Sequence, residues 1–235
     1  MSSKKDFEIF LYKNKYNTKT LIDFLPQLSC KTITYLLKDL GYQDTKTDTT
    51  KETNNDNKLY IFSDGGCKSN GKKLSSKQEA VAAYSVFFTD DNTSPFYKFN
   101  TTNLLDDEPT NNKAELSAIL LIFEIIYDNI ELFKTHKILI CTDSMYSINC
   151  IDKWSKNWVK NNWKNAKGES VKNQDIIKNI LEKKKYITDK NMEISFNHVF
   201  SHLQEPDDKH SLQYKLWYGN KKVDDNINYL LNNQM

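Results

Sequence analysis

The segment Lys137-Ile-Leu-Ile-Cys141 is a continuous apolar run placed directly after a long helix-periodic stretch, and this pairing constrains the chain more than any other feature. A run without polar alternation is the mark of a strand buried on both faces, which needs other elements packed above and below it. The stretch before it, Asn111 to Asn129, spaces its apolar residues as one face of a long amphipathic helix. Upstream, Leu59-Tyr60-Ile61-Phe62, Val81 to Thr89 and Phe96 to Thr101 read as extended segments, with Asp90-Asp91-Asn92 as turn chemistry, and together suggest an antiparallel meander. Downstream, the pattern predicts two or three helices over 144–186, a strand over about 193–200 and a last helix over 221–232. This order describes an α/β fold, a mixed sheet with helices on its faces.

Ahead of this domain the composition changes twice. Residues 1–43 carry two apolar-periodic stretches, Leu21-Ile22-Asp23-Phe24-Leu25 and Ile33-Thr34-Tyr35-Leu36-Leu37, ending at Leu40-Gly41, as a small helical unit closed by a glycine cap would. Residues 44–57 hold Thr, Lys, Asp and Asn with no large apolar residue, and read as a flexible linker to a single domain over 58–235. With 38% hydrophobic and 12% aromatic residues among 235, the chain can build one core, which excludes wholesale disorder. It has neither an 18-residue apolar run nor the apolar stretch of a secretory signal, so a soluble cytoplasmic or nuclear protein without membrane contact is expected. Cys30, Cys67, Cys141 and Cys150 lack metal-ligand spacing and are expected as free thiols. All 33 basic residues are lysine, against 31 acidic ones. Lysine lacks the bidentate fork of arginine, so any contact with nucleic acid should be diffuse and salt-sensitive.

Four carboxylates stand where strands end or helices begin. Asp64 closes the first strand and precedes Gly65-Gly66, Glu115 lies one turn into the long helix, Asp143 follows the Lys137–Cys141 strand, and Asp224 falls in the expected first turn of the last helix. Each alone reads equally as a turn former or helix cap. Gathered together, hard carboxylate oxygens without His or Cys favour Mg²⁺ or Mn²⁺, and two such ions about 4 Å apart would serve phosphoryl transfer.

The segments that carry these acids, SDGGCKSNG, TNNKAEL, ICTDSMYSIN and GNKKVDD, resemble the type 1 ribonuclease H domain, over about Leu59 to Leu231 and most densely over Thr142 to Asn173. The resemblance implies a ribonuclease H-like five-stranded mixed sheet flanked by helices, here with a small helical N-terminal extension. It also implies metal-dependent cleavage of the RNA strand of an RNA–DNA hybrid, leaving 3′-hydroxyl and 5′-phosphate ends. By motif match, Asp64, Glu115, Asp143 and Asp224 would hold two Mg²⁺ ions, with Mn²⁺ as a substitute; Asp225, the neighbour of Asp224, overshoots the family spacing. The segment FNHVFSHLQEP resembles the family's mobile catalytic loop and places His202 as the histidine that moves a proton or releases product, with His210 as a rival; the bland reading is a surface histidine, or His198 packing at the end of the strand. Ser201, Leu203 and Gln204 replace the family's small, glycine-rich neighbours, and about a dozen extra residues separate His202 from Gly219.

The resemblance also assigns the hybrid. Asn70, Asn111 and Asn112, with backbone near Cys67 and Ser69, match the positions that recognise 2′-hydroxyls, a task for which amides offer both a donor and an acceptor. Asn111 reads alternatively as a helix cap. Thr110 and Asn173 match a pocket for a DNA phosphate, and Tyr146 and Trp154 would lie against DNA sugars. Glu108 and Ala166 depart from the family and should weaken that grip. Between Lys153 and Lys167 five lysines (Lys153, Lys156, Lys160, Lys164 and Lys167) interleave with Trp154, Trp158 and Trp163, as in the family's basic handle. On pattern alone this is also an amphipathic helix with a solvated lysine face. Lys4, Lys5, Lys13, Lys15 and Lys19 leave residues 1–43 open between a second nucleic-acid contact and a protein contact.

A monomer is expected. The competing readings are a non-catalytic hybrid- or RNA-binding module on the same fold, which four mutually repelling carboxylates argue against, and another nuclease on the same sheet. Proofreading exonucleases typically show Asp-x-Glu on the first strand, where this chain has Asp64-Gly65-Gly66.

Overall fold

The structure, a computed structural model, describes residues 57–68, 80–201 and 203–233. The helical unit expected over 1–43, nearly all of the linker, and Ser69, Asn70 and His202 lie outside the described residues.

Five strands form one sheet: β1 (Lys58–Lys68), β2 (Val81–Phe87), β3 (Thr101–Leu105), β4 (Lys137–Thr142) and β5 (Ile194–His198), in the order β3-β2-β1-β4-β5. The first three pair antiparallel, while β4 runs parallel to β1 and β5 parallel to β4. Among the described residues the α-helices are α1 (Asn111–Asp128), α2 (Ile130–Phe133), α3 (Met145–Ile148), α4 (Ser155–Lys160), α5 (Gln174–Asp189) and α6 (Leu212–Asn232). A π-helical segment, Asn149–Trp154, joins α3 to α4.

Side-chain alternation along β1 assigns the layers. Ile61 packs with Leu116, Ile119 and Phe123 of α1 and Ile177 of α5. Phe62, one residue on, packs with Phe87, Cys141 and Val223 of α6 on the opposite face. The long α1 turns an i, i+3, i+4 series to the sheet, Ala114 through Ile126 being buried at that spacing. Helix α6 crosses its face so closely that a Cβ on Gly219 would stand 2.3 Å from the Phe62 ring. Phe62, 2% exposed, gains about 2 kcal/mol from that burial, and only a glycine at 219 leaves room for it.

Three elements differ from the sequence expectation. First, β1 does not stop near Asp64 but runs to Lys68, because β2 keeps pairing with it from Phe62↔Phe87 to Lys68↔Val81. Its pairing with β4 covers only Lys58 to Phe62, so Asp64 sits inside a strand whose other edge is no longer laddered to β4. Second, the strand expected over 96–101 is displaced. Tyr97–Phe99 is a 3-10 turn and β3 begins at Thr101. Phe96 and Phe99 both pack on Phe133, with ring centroids 5.1 and 5.8 Å away, which a turn allows and an alternating strand does not. Third, the last helix begins at Leu212 rather than 221, capped by Ser211 Oγ accepting from the Tyr214 N–H at 3.1 Å. Asp224 is therefore mid-helix, and most of the extra residues after His202 lengthen α6, leaving 203–211 as the connection.

Candidate active site

Three elements converge on a set of carboxylates. Asp64, Glu115 and Asp143 each offer an oxygen, and these atoms lie within 4.8 Å of one another. Asp64 comes from the middle of β1. Glu115 comes from the second turn of α1, whose start is fixed by Thr110 Oγ1 accepting from the Lys113 N–H at 3.2 Å. Asp143 leaves the end of β4 at a turn in which Thr142 Oγ1 accepts from the Ser144 N–H and Ser144 Oγ accepts from the Ser147 N–H. Between the first two lies Gly65, where an added Cβ would stand 2.2 Å from the Glu115 nitrogen. Contact of β1 and α1 at backbone level is what lets Glu115 reach Asp64.

Asp224 lines the same cavity, of about 600 Å³, from α6, and accepts a hydrogen bond at 3.0 Å from the Asn228 amide. Its neighbour Asp225 stands exposed, ion-paired to Lys221 at 2.6 Å.

Charge is unfavourably gathered here. Burial, then the Asp143 charge, pushes the Asp64 carboxyl up to about 7 from its ordinary 3.8; Asp224 adds to this and the Gly65 N–H, 2.7 Å away, pulls the other way. Burial and the charges of Asp64 and Asp143 push Glu115 well above the usual carboxylate range. Asp143 is raised mainly by burial, against its hydrogen bonds and His198, whose Nε2 lies 3.2 Å from the Asp143 carbonyl oxygen. Glu115 Oε2 is buried with no hydrogen-bond partner among the described residues. Buried acids that repel each other, one with an orphaned oxygen, fit a hard divalent cation, which would neutralise them and take their oxygens as ligands.

The remaining expected site residues fall as follows. Asn111 and Cys67 line the cavity, and Cys67 Sγ lies 3.4 Å from the Pro109 carbonyl oxygen. Asn112 is exposed in the first turn of α1, and the cap of that helix is Thr110 rather than Asn111. Tyr146 is hydrogen-bonded with Cys150 and Asn173, and burial pushes its hydroxyl up to about 12, so two of the expected DNA-strand residues meet. Asn173 precedes α5 with a left-handed backbone, φ 55°. Tyr146, Trp154, Trp158 and Trp163 form a chain of ring contacts with centroids 6.0, 5.8 and 6.3 Å apart. These rings pack on the core, while Lys153, Lys156, Lys160, Lys164 and Lys167 are all exposed. The segment is amphipathic, and its solvated face is a lysine row.

Several cavity residues lay unassigned in the sequence, Asn220 and Asn228 among them. Asn220 is 7% exposed with no hydrogen-bond partner to its Oδ1 among the described residues, and Asn228 holds Asp224. Their four-residue spacing about Asp224 is the signal: Asn228 is already one turn on in the helix expected over 221–232, and the earlier helix start brings in Asn220.

The family model described as RNase H matches residues 56–226, a span containing all four carboxylates. The chain belongs to the RNase H family. It is 39% identical over 98 residues to a protein of Acanthamoeba polyphaga mimivirus named "Probable ribonuclease H", a match covering 42% of this chain and 40% of that protein. It is 30% identical over 164 residues to the ribonuclease H of Schizosaccharomyces pombe, covering 70% of this chain and 49% of the relative. The chain thus spans half or less of the length of these two RNase H relatives. Among solved structures, the prototype foamy virus protease-reverse transcriptase superposes with a TM-score of 0.53 at 18% identity, over 79% of this chain and 22% of that one, and shares the fold.

Proposed function

We propose that this protein is a metal-dependent endoribonuclease that hydrolyses the RNA strand of RNA–DNA hybrids, leaving 3′-hydroxyl and 5′-phosphate ends. The observation that carries the reading is the cluster of buried Asp64 and Glu115 with half-buried Asp143, within a chain of the RNase H family. Mg²⁺ is the expected cation, in two sites, with Mn²⁺ as a substitute, because every donor is a hard oxygen.

Bound there, the cations would polarise the scissile phosphoryl group and stabilise the oxygen that leaves from the ribose 3′ position. The chain's own residues do the rest. Asp64, fixed by the Gly65 N–H, Glu115, fixed by the close approach of α1, and Asp143, fixed by the Thr142–Ser144 turn, form a preset ligand cage that needs no reorganisation when substrate arrives. Asp224 closes the cavity from α6. Water supplies the oxygen that forms the new P–O bond as the P–O3′ bond breaks; its proton passes to solvent or to His202, the residue we assign to proton movement, and the departing 3′-oxygen takes up a proton from solvent to become the hydroxyl. Asn111, Asn112 and the backbone near Cys67 would read 2′-hydroxyls, while Thr110, Asn173, Tyr146 and Trp154 would take the DNA strand and the lysine row its phosphates. The protein would act as a monomer on the hybrid.

Replacing Asp143 by Asn tests the catalytic role against mere binding. Cleavage should be abolished and hybrid affinity retained within a few-fold. Undiminished cleavage by that variant would contradict the assignment, and hybrid binding by a wild-type protein that never cleaves would favour the binding module.

A further inference from the structure

The catalytic cavity continues past the carboxylates. Along β1, alternation sends Asp64, Gly66 and Lys68 to the face covered by α6; a Cβ on Gly66 would meet Ile227 of that helix at 2.8 Å. Along α6, Asn220, Asp224, Asn228 and Asn232 recur at every fourth position, and all of them line the cavity together with Lys68. At its far end Lys68 Nζ donates to Asn232 Oδ1 at 3.4 Å. That contact takes one lone pair of the amide oxygen and leaves the Asn232 amide hydrogens, and the remaining ammonium hydrogens, as donors on an exposed, positively charged spot. Asn232 stands two turns beyond Asp224, about 12 Å along the helix. At roughly 3.4 Å of axial rise per nucleotide this is about three nucleotides of one strand.

We propose that Lys68 and Asn232 form a phosphate subsite for the RNA strand about three nucleotides from the scissile bond, reached along the asparagine row of α6. One ammonium beside the Asn232 amide hydrogens gives the site more donors than acceptors and a positive charge, which suits the non-bridging oxygens of a phosphodiester better than an uncharged base edge or 2′-hydroxyl. The inference rests on the ribonuclease reading, since it names where that substrate lies. A purely structural role is the alternative: Lys68 also sits by the C-terminal turn of α6, where a cation offsets the helix dipole.

The test is steady-state cleavage of an end-labelled hybrid by wild type, Lys68→Ala, Asn232→Ala and the double variant, with thermal melting alongside. In the double variant KM should rise several-fold with the change falling on KM rather than kcat, and the log–log salt slope of binding should flatten by about one. Lys68→Arg should restore most of the affinity. The KM difference should vanish on a hybrid cut back, on one side of the cleavage point, to fewer than about three base pairs. Unchanged KM and salt slope, with or without a lowered melting temperature, would overturn the subsite and leave Lys68 as a helix-end contact. A wild-type protein that neither binds nor cuts hybrids would overturn the ribonuclease reading itself, so the two failures are distinguishable.

Discussion

Gly65 and Glu115 touch through their backbones: a Cβ built on Gly65 would lie 2.2 Å from the Glu115 nitrogen and 2.3 Å from the Ala114 carbonyl carbon. No rotamer change relieves such a clash, because both groups are main chain. Gly65→Ala should therefore push α1 away from β1, destabilise the fold by about 3 kcal/mol and separate Glu115 from Asp64. Chemical denaturation and Mn²⁺ titration together check this, with weaker cation binding persisting under conditions where the variant is still folded.

The raised carboxyls give the metal-free protein a definite pH dependence. Asp64 titrates at about 7 when folded and near 3.8 when unfolded, so the folded state holds its proton more tightly. Its contribution is fully present below about pH 4 and is lost as pH rises through about 7, and Glu115 works in the same direction. In EDTA the melting temperature should fall across that window, and Mg²⁺ should recover it at neutral pH. Asp64→Asn should raise metal-free stability at pH 7 by about 1–3 kcal/mol while abolishing cleavage. A flat EDTA profile would contradict the account.

The neighbouring aspartates of α6 should separate cleanly. Asp224 lines the cavity, whereas Asp225 is exposed beside Lys221. Asp224→Asn should lower kcat by at least about tenfold, the effect of 1.4 kcal/mol at the transition state. Asp225→Asn should stay near wild type, giving up only an exposed i,i+4 pair of a few tenths of a kcal/mol. Single-turnover kinetics with both variants checks the pair.

The lysine row should act through counterion release. Lys153, Lys156 and Lys160 are exposed, and every lysine–phosphate pairing removed should flatten the log–log salt dependence of hybrid binding by about one. Replacing them by Ala should weaken binding without altering kcat at saturation. Trp158→Ala differs in kind: its ring lies between Trp154 and Trp163, so that change should cost stability, by about 3 kcal/mol.

What was legible in the sequence is the part set by local pattern. The unalternating Lys137–Cys141 run, the helix-periodic Asn111–Asn129 stretch and the four ordered acids led to the sheet, α1 and the carboxylates. The start of α6 was hidden because Gly219 reads as a helix breaker, whereas here it is the residue that lets α6 lie against Phe62. The misplaced β3 has a similar cause: Phe96 and Phe99 look extended by composition but are held in a turn by Phe133, a partner distant in sequence. The length of β1 was set by pairing with β2, which no window on β1 alone contains. Asp224, Asn228 and Asn232 already share a face of the helix expected over 221–232; the earlier start of α6 adds Asn220 to that row, and the longer β1 brings Lys68 alongside it.

Hybrid-specific, metal-dependent cleavage is decided by incubating the protein with an end-labelled RNA–DNA hybrid, in parallel with matched single-stranded RNA, duplex RNA and duplex DNA, in Mg²⁺, Mn²⁺ or EDTA. The account predicts internal cuts confined to the RNA of the hybrid, ends bearing 3′-hydroxyl and 5′-phosphate, and no product in EDTA. Cleavage that persists in EDTA, that proceeds only inward from an end, or that falls equally on duplex DNA would contradict it.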